Sequence, residues 1–131
     1  MGGENLELVQ RAYEVFDTDL DALLDLLDPD IDWVSPSEAL EPGVRHGHDG
    51  VRGAFAATAM AWDDPSHKTT DFYAPDDDKV LVTVAFRGRG RGSGMQADQT
   101  EFHLWTIRHG AVVRFEWFYR REAAMKAAVL S

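Results

Sequence analysis

The sequence contains no cysteine, which excludes disulfides, thiolate nucleophiles and thiolate metal sites. No apolar run is long enough to span a bilayer, and residues 1–5 lack the basic and apolar regions of a signal peptide. Basic residues are scarce: 13 Lys and Arg stand against 23 Asp and Glu, for a formal net charge of −10. A surface of that sign repels phosphate backbones and anionic lipid heads. We therefore expect a cytoplasmic protein that binds neither nucleic acid nor membranes.

Apolar residues are abundant enough for one folded domain. They make up 44% of the 131 residues, which is sufficient to bury a core of ordinary size. No internal repeat and no linker composition divides the chain. The sequence therefore predicts a single domain over residues 1–131.

The first half of the chain has mainly helical periodicity. Apolar side chains at spacings of three and four predict two amphipathic helices, the second capped by Thr18 or Asp19 and stopped by Pro29. A short strand and a loop come next, followed by a third helix with Asp49 as its expected cap. The predicted segments are helices over residues 4–16, 20–27 and 49–62, a strand over 30–35 and a loop over 36–47.

After Pro65 the period changes to two, and a final alanine-rich segment returns to helix. Short turns separate the predicted strands, so these strands should pair antiparallel. The element order is ααβαββββα, and the predicted fold class is α+β, with a curved antiparallel or mixed sheet wrapped on helices. The segments are strands over His67–Ala74, Val80–Gly88, Met95–Arg108 and Ala111–Tyr119, and a helix over Arg121–Leu130.

One parity of the last two strands mixes ionisable and aromatic side chains. Glu101 and His103 alternate there with Trp105, and Phe115 and Trp117 occupy the matching parity of the next strand. A plain core face would be aliphatic, because an unpaired buried polar group costs about 1–3 kcal/mol. Mixed polar and aromatic lining is typical of a ligand cavity. The alternative is a core face on which Glu101 and His103 bond each other or water.

The pattern thus predicts a pocket for a small, largely apolar organic molecule. Aromatic residues also dominate ordinary cores, so part of the candidate set is expected simply to pack. The candidate lining residues are Tyr13, Phe16, Trp33, Ser35, Trp62, Phe86, Trp105, Phe115, Trp117 and Tyr119.

His103 is the strongest candidate for a catalytic residue. An imidazole titrates near neutrality and can take up and return a proton, as an enolisation or an aldol closure requires. Glu101 lies on the same face two residues away, where it would orient the ring or raise its pKa. The alternative is a structural histidine in the pocket wall.

The opposite parity of the same strands is apolar as well, with Phe102, Leu104, Val112 and Phe118. Sheets that are covered on both sides show this pattern. Because helices cover only one side of a curved sheet, we predict a second copy of the chain on the other side. The expected partner is a two-fold homodimer formed through the outer sheet face.

Three segments imitate known sites but favour simpler interpretations. The histidines of residues 46–49 lack the further ligand that would complete a metal site. The aspartates of residues 17–21 resemble a calcium loop, but Ala22 replaces its required glycine. The arginine–glycine tract at residues 87–92 is too short for nucleic-acid binding, and its glycines are expected to leave open space at the pocket rim. The sequence implies no metal and no cofactor.

A family resemblance covers nearly the whole chain. Its residues are Leu8–Tyr13, Asp19–Asp30, Gly47–Arg52 and His103–Val113. On these segments the chain resembles the SnoaL-like branch of the nuclear-transport-factor-2-like superfamily. The resemblance implies a cone-shaped α+β barrel of the nuclear-transport-factor-2-like or cystatin-like type, a pocket inside the cone and frequent homodimers. The superfamily includes ketosteroid isomerases, polyketide cyclases, epoxide hydrolases, dehydratases and association domains, so the fold does not select one function.

The known activities of the superfamily differ in how well they match this chain. The resemblance assigns ketosteroid isomerases a base, a tyrosine and an aspartic acid in the site. At the matching positions this chain has Ser35, Ala12 and His103, so that mechanism is not expected. The arginine of the epoxide hydrolases is missing from the pocket parity. Polyketide cyclases need one acid/base residue in an aromatic cavity, a role that the resemblance gives to His103.

Two classes of function remain. The first is a cofactor-independent enzyme that isomerises, cyclises, dehydrates or hydrolyses a small apolar metabolite. The second is a domain for ligand binding or protein association without turnover. An enzyme should place an acid/base group with a perturbed pKa against its ligand, and an association domain should have a filled cone.

Overall fold

The computed structural model describes residues 2–130. Within this range the order of the elements is ααββαββββα. Three of the four helices precede the long strands, as the change of period predicted. The elements are α1 (Gly2–Val15), α2 (Leu20–Leu24), β1 (Leu27–Ser35), β2 (Gly43–His46), α3 (Gly47–Ala61), β3 (Trp62–Asp76), β4 (Lys79–Gly90), β5 (Gln96–Arg108), β6 (Ala111–Phe118) and α4 (Arg121–Leu130).

The strands form one curved, mixed sheet in the order β2-β1-β6-β5-β4-β3. All neighbouring pairs are antiparallel except β1 and β6, which run parallel. The α+β class and the mixed sheet predicted from the sequence are thereby confirmed. In the described part of the chain, no helix combines the length and the apolarity needed to cross a membrane.

The ends of the second and third helices differ from the prediction. Asp19 caps α2 by accepting a hydrogen bond from the Ala22 backbone at 3.1 Å, but α2 ends at Leu24 and Pro29 lies inside β1. The chain leaves the helix early because the Leu26 carbonyl accepts from the Val112 backbone of the neighbouring β6. The capping role expected for Asp49 is wrong, since α3 already begins at Gly47.

Two edge strands extend the sheet beyond the predicted strands. β2, in the segment expected to be loop, pairs with β1 although its side chains are mostly exposed, so it lacks the alternation that marks a half-buried strand. β3 begins at Trp62 rather than His67 and continues through Pro65. A register shift between Asp63 and Ser66 accommodates this proline, which is tolerated because β3 is an edge strand.

The two faces of the sheet are covered by different parts of the chain. On the inner face, α1, α2 and α3 enclose the main core, whose buried members include Val9, Leu23, Val51 and Trp105. On the outer face, Ala124 and Ala128 of α4 pack against Leu81 and Leu104. The expectation that helices cover only one side of the sheet is therefore wrong.

This outer cluster changes the argument for a homodimer. Leu104 is fully buried by α4 of its own chain, and Phe102 and Phe118 are partly buried against the same cluster. Apolar residues on the outer face thus have a partner within the chain. A second copy is not needed to explain them.

Candidate functional site

A cavity of about 640 Å³ lies between α3 and the inner face of the sheet. Its size falls within the range of about 300–1,000 Å³ that is typical of small-molecule sites. Both candidate catalytic residues, Glu101 and His103, line it. The other predicted lining residues found there are Phe16, Trp33, Ser35, Trp62, Phe86, Phe115, Trp117 and Tyr119.

Two predicted lining residues, Tyr13 and Trp105, do not line the cavity. Trp105 is completely buried in the main core, and the Tyr13 ring meets it edge to face at 5.4 Å. Farther along β5 than His103, the space between helix and sheet is filled by residues of α1 such as Val9 and Ala12. The inward-facing side chains of β5 therefore line the cavity as far as His103. From Trp105 onwards they pack in the core.

Both ring nitrogens of His103 are bonded within the protein. Nε2 lies 2.8 Å from the Glu101 carboxylate, and Nδ1 lies 2.6 Å from the Tyr13 hydroxyl. Because a carboxylate only accepts, Nε2 is the donor of the neutral ring, which leaves Nδ1 to accept from Tyr13. The Tyr13 oxygen in turn accepts from Nε1 of Trp105 at 2.9 Å. This hydrogen-bond chain assigns one tautomer to His103.

Burial sets the charge states of the side chains in this series of hydrogen bonds. It lowers the pKa of His103 below the ordinary histidine value, against the opposing effect of the Glu101 carboxylate. Burial also raises the pKa of Tyr13 well above its ordinary value. Burial would raise the pKa of Glu101 too, but the hydrogen bond from His103, together with His67 and Gln99, lowers it overall. Near neutral pH, His103 is thus neutral and Glu101 ionised.

The geometry therefore favours the alternative interpretation of His103, a structural residue that positions its neighbours. Only 2% of its side chain is exposed, and neither nitrogen is left for a ligand. Its effect is to hold the carboxylate of Glu101 toward the cavity. Gln99 supports the other oxygen of that carboxylate at 3.1 Å.

A second histidine, His67 of β3, has a free nitrogen at the cavity. Asp17, in the turn after α1, accepts from Nδ1 of His67 with one carboxylate oxygen and from the His67 backbone with the other, both at 2.7 Å. Both residues line the cavity. Nδ1 is the donor of this pair, so Nε2 of the neutral ring is an acceptor. Among the described residues, no hydrogen bond engages Nε2.

The free nitrogen of His67 faces Glu101. Nε2 lies 4.0 Å from Oε1 of Glu101, which is too long for a hydrogen bond. The side chains of His67 and Glu101 are only 11% and 7% exposed. Together these residues form a polar cluster, which consists of Asp17, His67, Glu101 and His103. Its centre is the gap of 4.0 Å between Nε2 of His67 and Oε1 of Glu101.

Sequence reasoning missed Asp17 and His67 as site residues. His67 was expected only to open a strand, and Asp17 only to belong to an acidic helix cap. If β3 and β4 paired without interruption from the Asp76–Lys79 turn, Thr69 would lie opposite the predicted lining residue Phe86. Two register shifts in β3 place His67 there instead.

One wall of the cavity is built from small side chains of α3. Ala54, Ala57 and Ala61 face the cavity together with Phe55. Short side chains on this wall leave volume that larger ones would fill. The opposite wall is aromatic, and its Trp117 is fixed by a hydrogen bond from Nε1 to Ser35 at 3.0 Å.

The mouth of the cavity is apolar and exposed. Leu40 of the loop after β1 and Met60 of α3 both line the cavity, yet 79% and 77% of their surfaces are exposed. Arg45 and Glu41, also lining residues, pair at 3.5 Å. An apolar molecule therefore meets favourable surface before it enters.

The segments that imitate other sites have local partners. His46 lies 3.0 Å from Asp32, and His48 bonds the Leu27 carbonyl at 2.9 Å. No cluster of three His, Asp or Glu side chains within residues 2–130 is arranged to hold a metal ion. The expected open space at Gly88 is wrong, because a Cβ there would meet Trp62 at 3.2 Å.

Solved structures share this fold at low sequence identity. TerC, crystallised with polyporic acid, is 23% identical over 98% of this chain and 99% of its own, with a TM-score of 0.79. A candidate SnoaL-like polyketide cyclase from Jannaschia is 19% identical over 96% and 92%, with a TM-score of 0.79. A protein with a ketosteroid isomerase-like fold from Catenulispora acidiphila, in complex with trimethylamine, is 17% identical over 92% and 90%, with a TM-score of 0.76.

The family comparison agrees with these folds and with the resemblance seen in the sequence. No protein of curated function matches the chain significantly in sequence. The SnoaL-like domain family matches it over residues 9–115. Since that match spans well over half of the residues, the chain belongs to the SnoaL-like domain family.

Proposed function

We propose that this protein binds a small, largely apolar organic molecule in the cavity and transfers a proton on it without a cofactor. The observation that carries the proposal is the free Nε2 of His67, held against the cavity by Asp17 at 2.7 Å. A histidine oriented by a carboxylate, with its other nitrogen open to a ligand, is the usual arrangement of a general acid/base. In the proposal this role passes from His103 to His67.

The proposed proton transfer uses the two sides of the His67 ring. Nε2 takes a proton from a carbon next to a carbonyl group, and the bonding electrons move to the carbonyl oxygen as an enolate forms. His67 then returns the proton to another atom of the same molecule. Return to a different carbon isomerises the substrate, and attack of the enolate carbon on a second carbonyl cyclises it.

The fold neighbours support a small-molecule ligand. Two of them were crystallised with small organic molecules, polyporic acid and trimethylamine, and a third is a candidate polyketide cyclase. The aromatic walls of this cavity suit an apolar molecule with a ring system. The more specific form of the proposal is that the protein catalyses a cyclisation.

Deuterium exchange tests the proposal without knowledge of the natural substrate. β-Tetralone is an apolar aromatic ketone with acidic protons next to its carbonyl group. We expect the protein to accelerate the exchange of these protons in D₂O, and His67→Gln to reduce the acceleration by about 100-fold or more. Proton NMR measures the exchange, and tryptophan fluorescence measures binding of the ketone.

The matched control is His46→Gln. His46 is exposed, pairs with Asp32 and does not line the cavity, so this variant should exchange like the unaltered protein. Exchange that survives His67→Gln would contradict the assignment of the base. Binding of the ketone without any accelerated exchange would favour the alternative, a non-catalytic ligand-binding domain.

Homodimerisation through the outer sheet face and a cytoplasmic location are also part of the proposal. Among the side chains that the structure describes, Tyr73 on the outer face and Val129 on α4 are large, apolar and exposed. Size-exclusion chromatography with light scattering tests the dimer. A monomer at micromolar concentration would contradict it.

A further inference from the structure

The charges that line the cavity are distributed unevenly. Asp17 and Glu101 belong to the polar cluster, with 27% and 7% of their side chains exposed. The lining includes one arginine, Arg45, and its nearest carboxylate is Glu41 at 3.5 Å. Within the polar cluster, the histidines are the groups that can carry positive charge, and burial keeps His103 neutral. The ligand-facing part of the cavity therefore carries excess negative charge.

The Glu101 carboxylate keeps an acceptor site at the cavity. Its Oε1 accepts a hydrogen bond from His103 at 2.8 Å and lies 4.0 Å from Nε2 of His67, too far for a second hydrogen bond within the protein. A carboxylate oxygen has two lone pairs, so Oε1 can accept once more from a ligand. An ammonium group would form a charge-assisted hydrogen bond there, whereas a hydroxyl group would donate without a charge of its own.

Aromatic rings border the same gap. The rings of Phe16 and Phe86 lie 4.8 and 5.0 Å from His67, and the ring of Phe115 lies 5.0 Å from His103. The negative faces of aromatic rings attract organic cations, most strongly where water is excluded. The carboxylates of the polar cluster and the aromatic rings therefore favour the same kind of ligand group.

We propose that the cavity selects a molecule with an apolar ring body and a primary or secondary amine, whose ammonium group donates to the Glu101 carboxylate and leaves Nε2 of His67 open. The proposal rests on the proposed function, since it names the class of ligand for the same cavity. The net charge of −10 acts in the same direction, because a negative surface concentrates cations near the mouth. Carboxylates of the same shape should be rejected.

Three probes that share one naphthalene body test the selection: naphthylmethylamine, naphthylmethanol and naphthoate. Isothermal titration calorimetry at neutral pH gives each Kd. We expect the amine to bind at least about tenfold more tightly than the alcohol, because charge-assisted hydrogen bonds exceed neutral ones. The naphthoate should bind most weakly of the three.

Two variants locate the origin of the preference. Glu101→Gln and Asp17→Asn each keep the side-chain shape and remove one charge, so each should reduce the ratio of amine to alcohol affinity. The control is Asp32→Asn, an exposed carboxylate outside the cavity, which should leave that ratio unchanged. Thermal unfolding followed by circular dichroism verifies that each variant is folded.

The outcomes separate this inference from the proposed function. If the alcohol or the naphthoate binds as tightly as the amine, the charge selection is overturned, whereas the small-molecule cavity stands. If both cavity variants keep the full preference, the assigned ammonium position is wrong. If none of the three probes binds, the selection and the proposed ligand-binding function both fail.

Discussion

Successive side chains of β5 enter two different environments on the two sides of the sheet. On the inner face, Glu101 and His103 belong to a hydrogen-bonded chain beside an open cavity. On the outer face, Leu104 is sealed in an apolar cluster by Ala124 and Ala128 of α4. This cluster is filled, and its packing depends on a matching shape. The inner face is hollow and depends on every polar group having its partner.

The difference shows where this fold tolerates change. In a low-dielectric interior, a satisfied polar network is rigid and specific, but the loss of one member leaves another buried and unpaired. In an apolar cluster, the loss of one side chain removes contacts and leaves a void. Mutations on the two faces should therefore fail in different ways.

The largest effect is expected for His103→Leu. It leaves the buried Glu101 carboxylate without its 2.8 Å partner and the Tyr13 hydroxyl without its acceptor. Because a buried group left without its hydrogen bond costs about 1–3 kcal/mol, and more if it is charged, the loss of both bonds should lower the free energy of unfolding by about 4 kcal/mol. Urea denaturation measures it. His103→Gln can still bond both neighbours and should cost clearly less; equal losses for the two variants would contradict the network interpretation.

A smaller effect is expected for Leu104→Ala on the outer face. Leu104 is fully buried, and truncation of a buried leucine costs about 3 kcal/mol through lost contacts and the cavity left behind. Binding of β-tetralone by the folded variant should not change, because Leu104 points away from the cavity. A higher Kd would show that the two faces are coupled, which would contradict their description as separate environments.

The smallest effect is the dependence of stability on pH. Burial lowers the pKa of His103, so the unfolded chain takes up the proton more readily than the folded one. The stabilisation is therefore complete above the unfolded value of about 6.5 and is lost as the pH falls through the lower folded value. The lowered pKa of Glu101 adds a loss of the same sign in more acidic solution.

Urea unfolding over a series from about pH 8 to pH 5 measures this effect. His103→Gln should flatten the curve in its upper part. His46 gives a control of opposite sign, because its hydrogen bond with Asp32 raises its pKa and its contribution is lost as the pH rises. If the His103→Gln variant had the same pH profile as the unaltered protein, the assignment of this pH dependence to His103 would be wrong.

Much of the fold was predictable because it is recorded in local periodicity. The change from helical to alternating pattern after Pro65 predicted the long strands, and the mixed parity of Glu101 and His103 predicted a face unlike a plain core. β2 was missed because an exposed edge strand has no burial pattern to reveal it. The length of α2 was overestimated because its leucines continue at helical spacing into Leu27, which belongs to β1.

The site was less predictable because it depends on contacts between distant segments. Asp17 and His67 are 50 residues apart, and two register shifts in β3 place His67 opposite Phe86. Parity along β5 predicted correctly which side chains face inward, but not where the hollow ends. That boundary depends on how deeply α1 packs against Trp105 and Tyr13, which the pattern of one strand does not contain.

The alanines of α3 have a consequence for how such a protein can diversify. Ala54, Ala57 and Ala61 stand on a helix of their own, whereas Asp17, His67 and Glu101 stand on the α1–α2 turn and on β3 and β5. Replacement of an alanine by valine or leucine would reshape the available volume without displacing a residue of the polar cluster. Cavity volume and the polar cluster are thus encoded in separate stretches of the chain, so evolution or laboratory selection can alter the first while conserving the second.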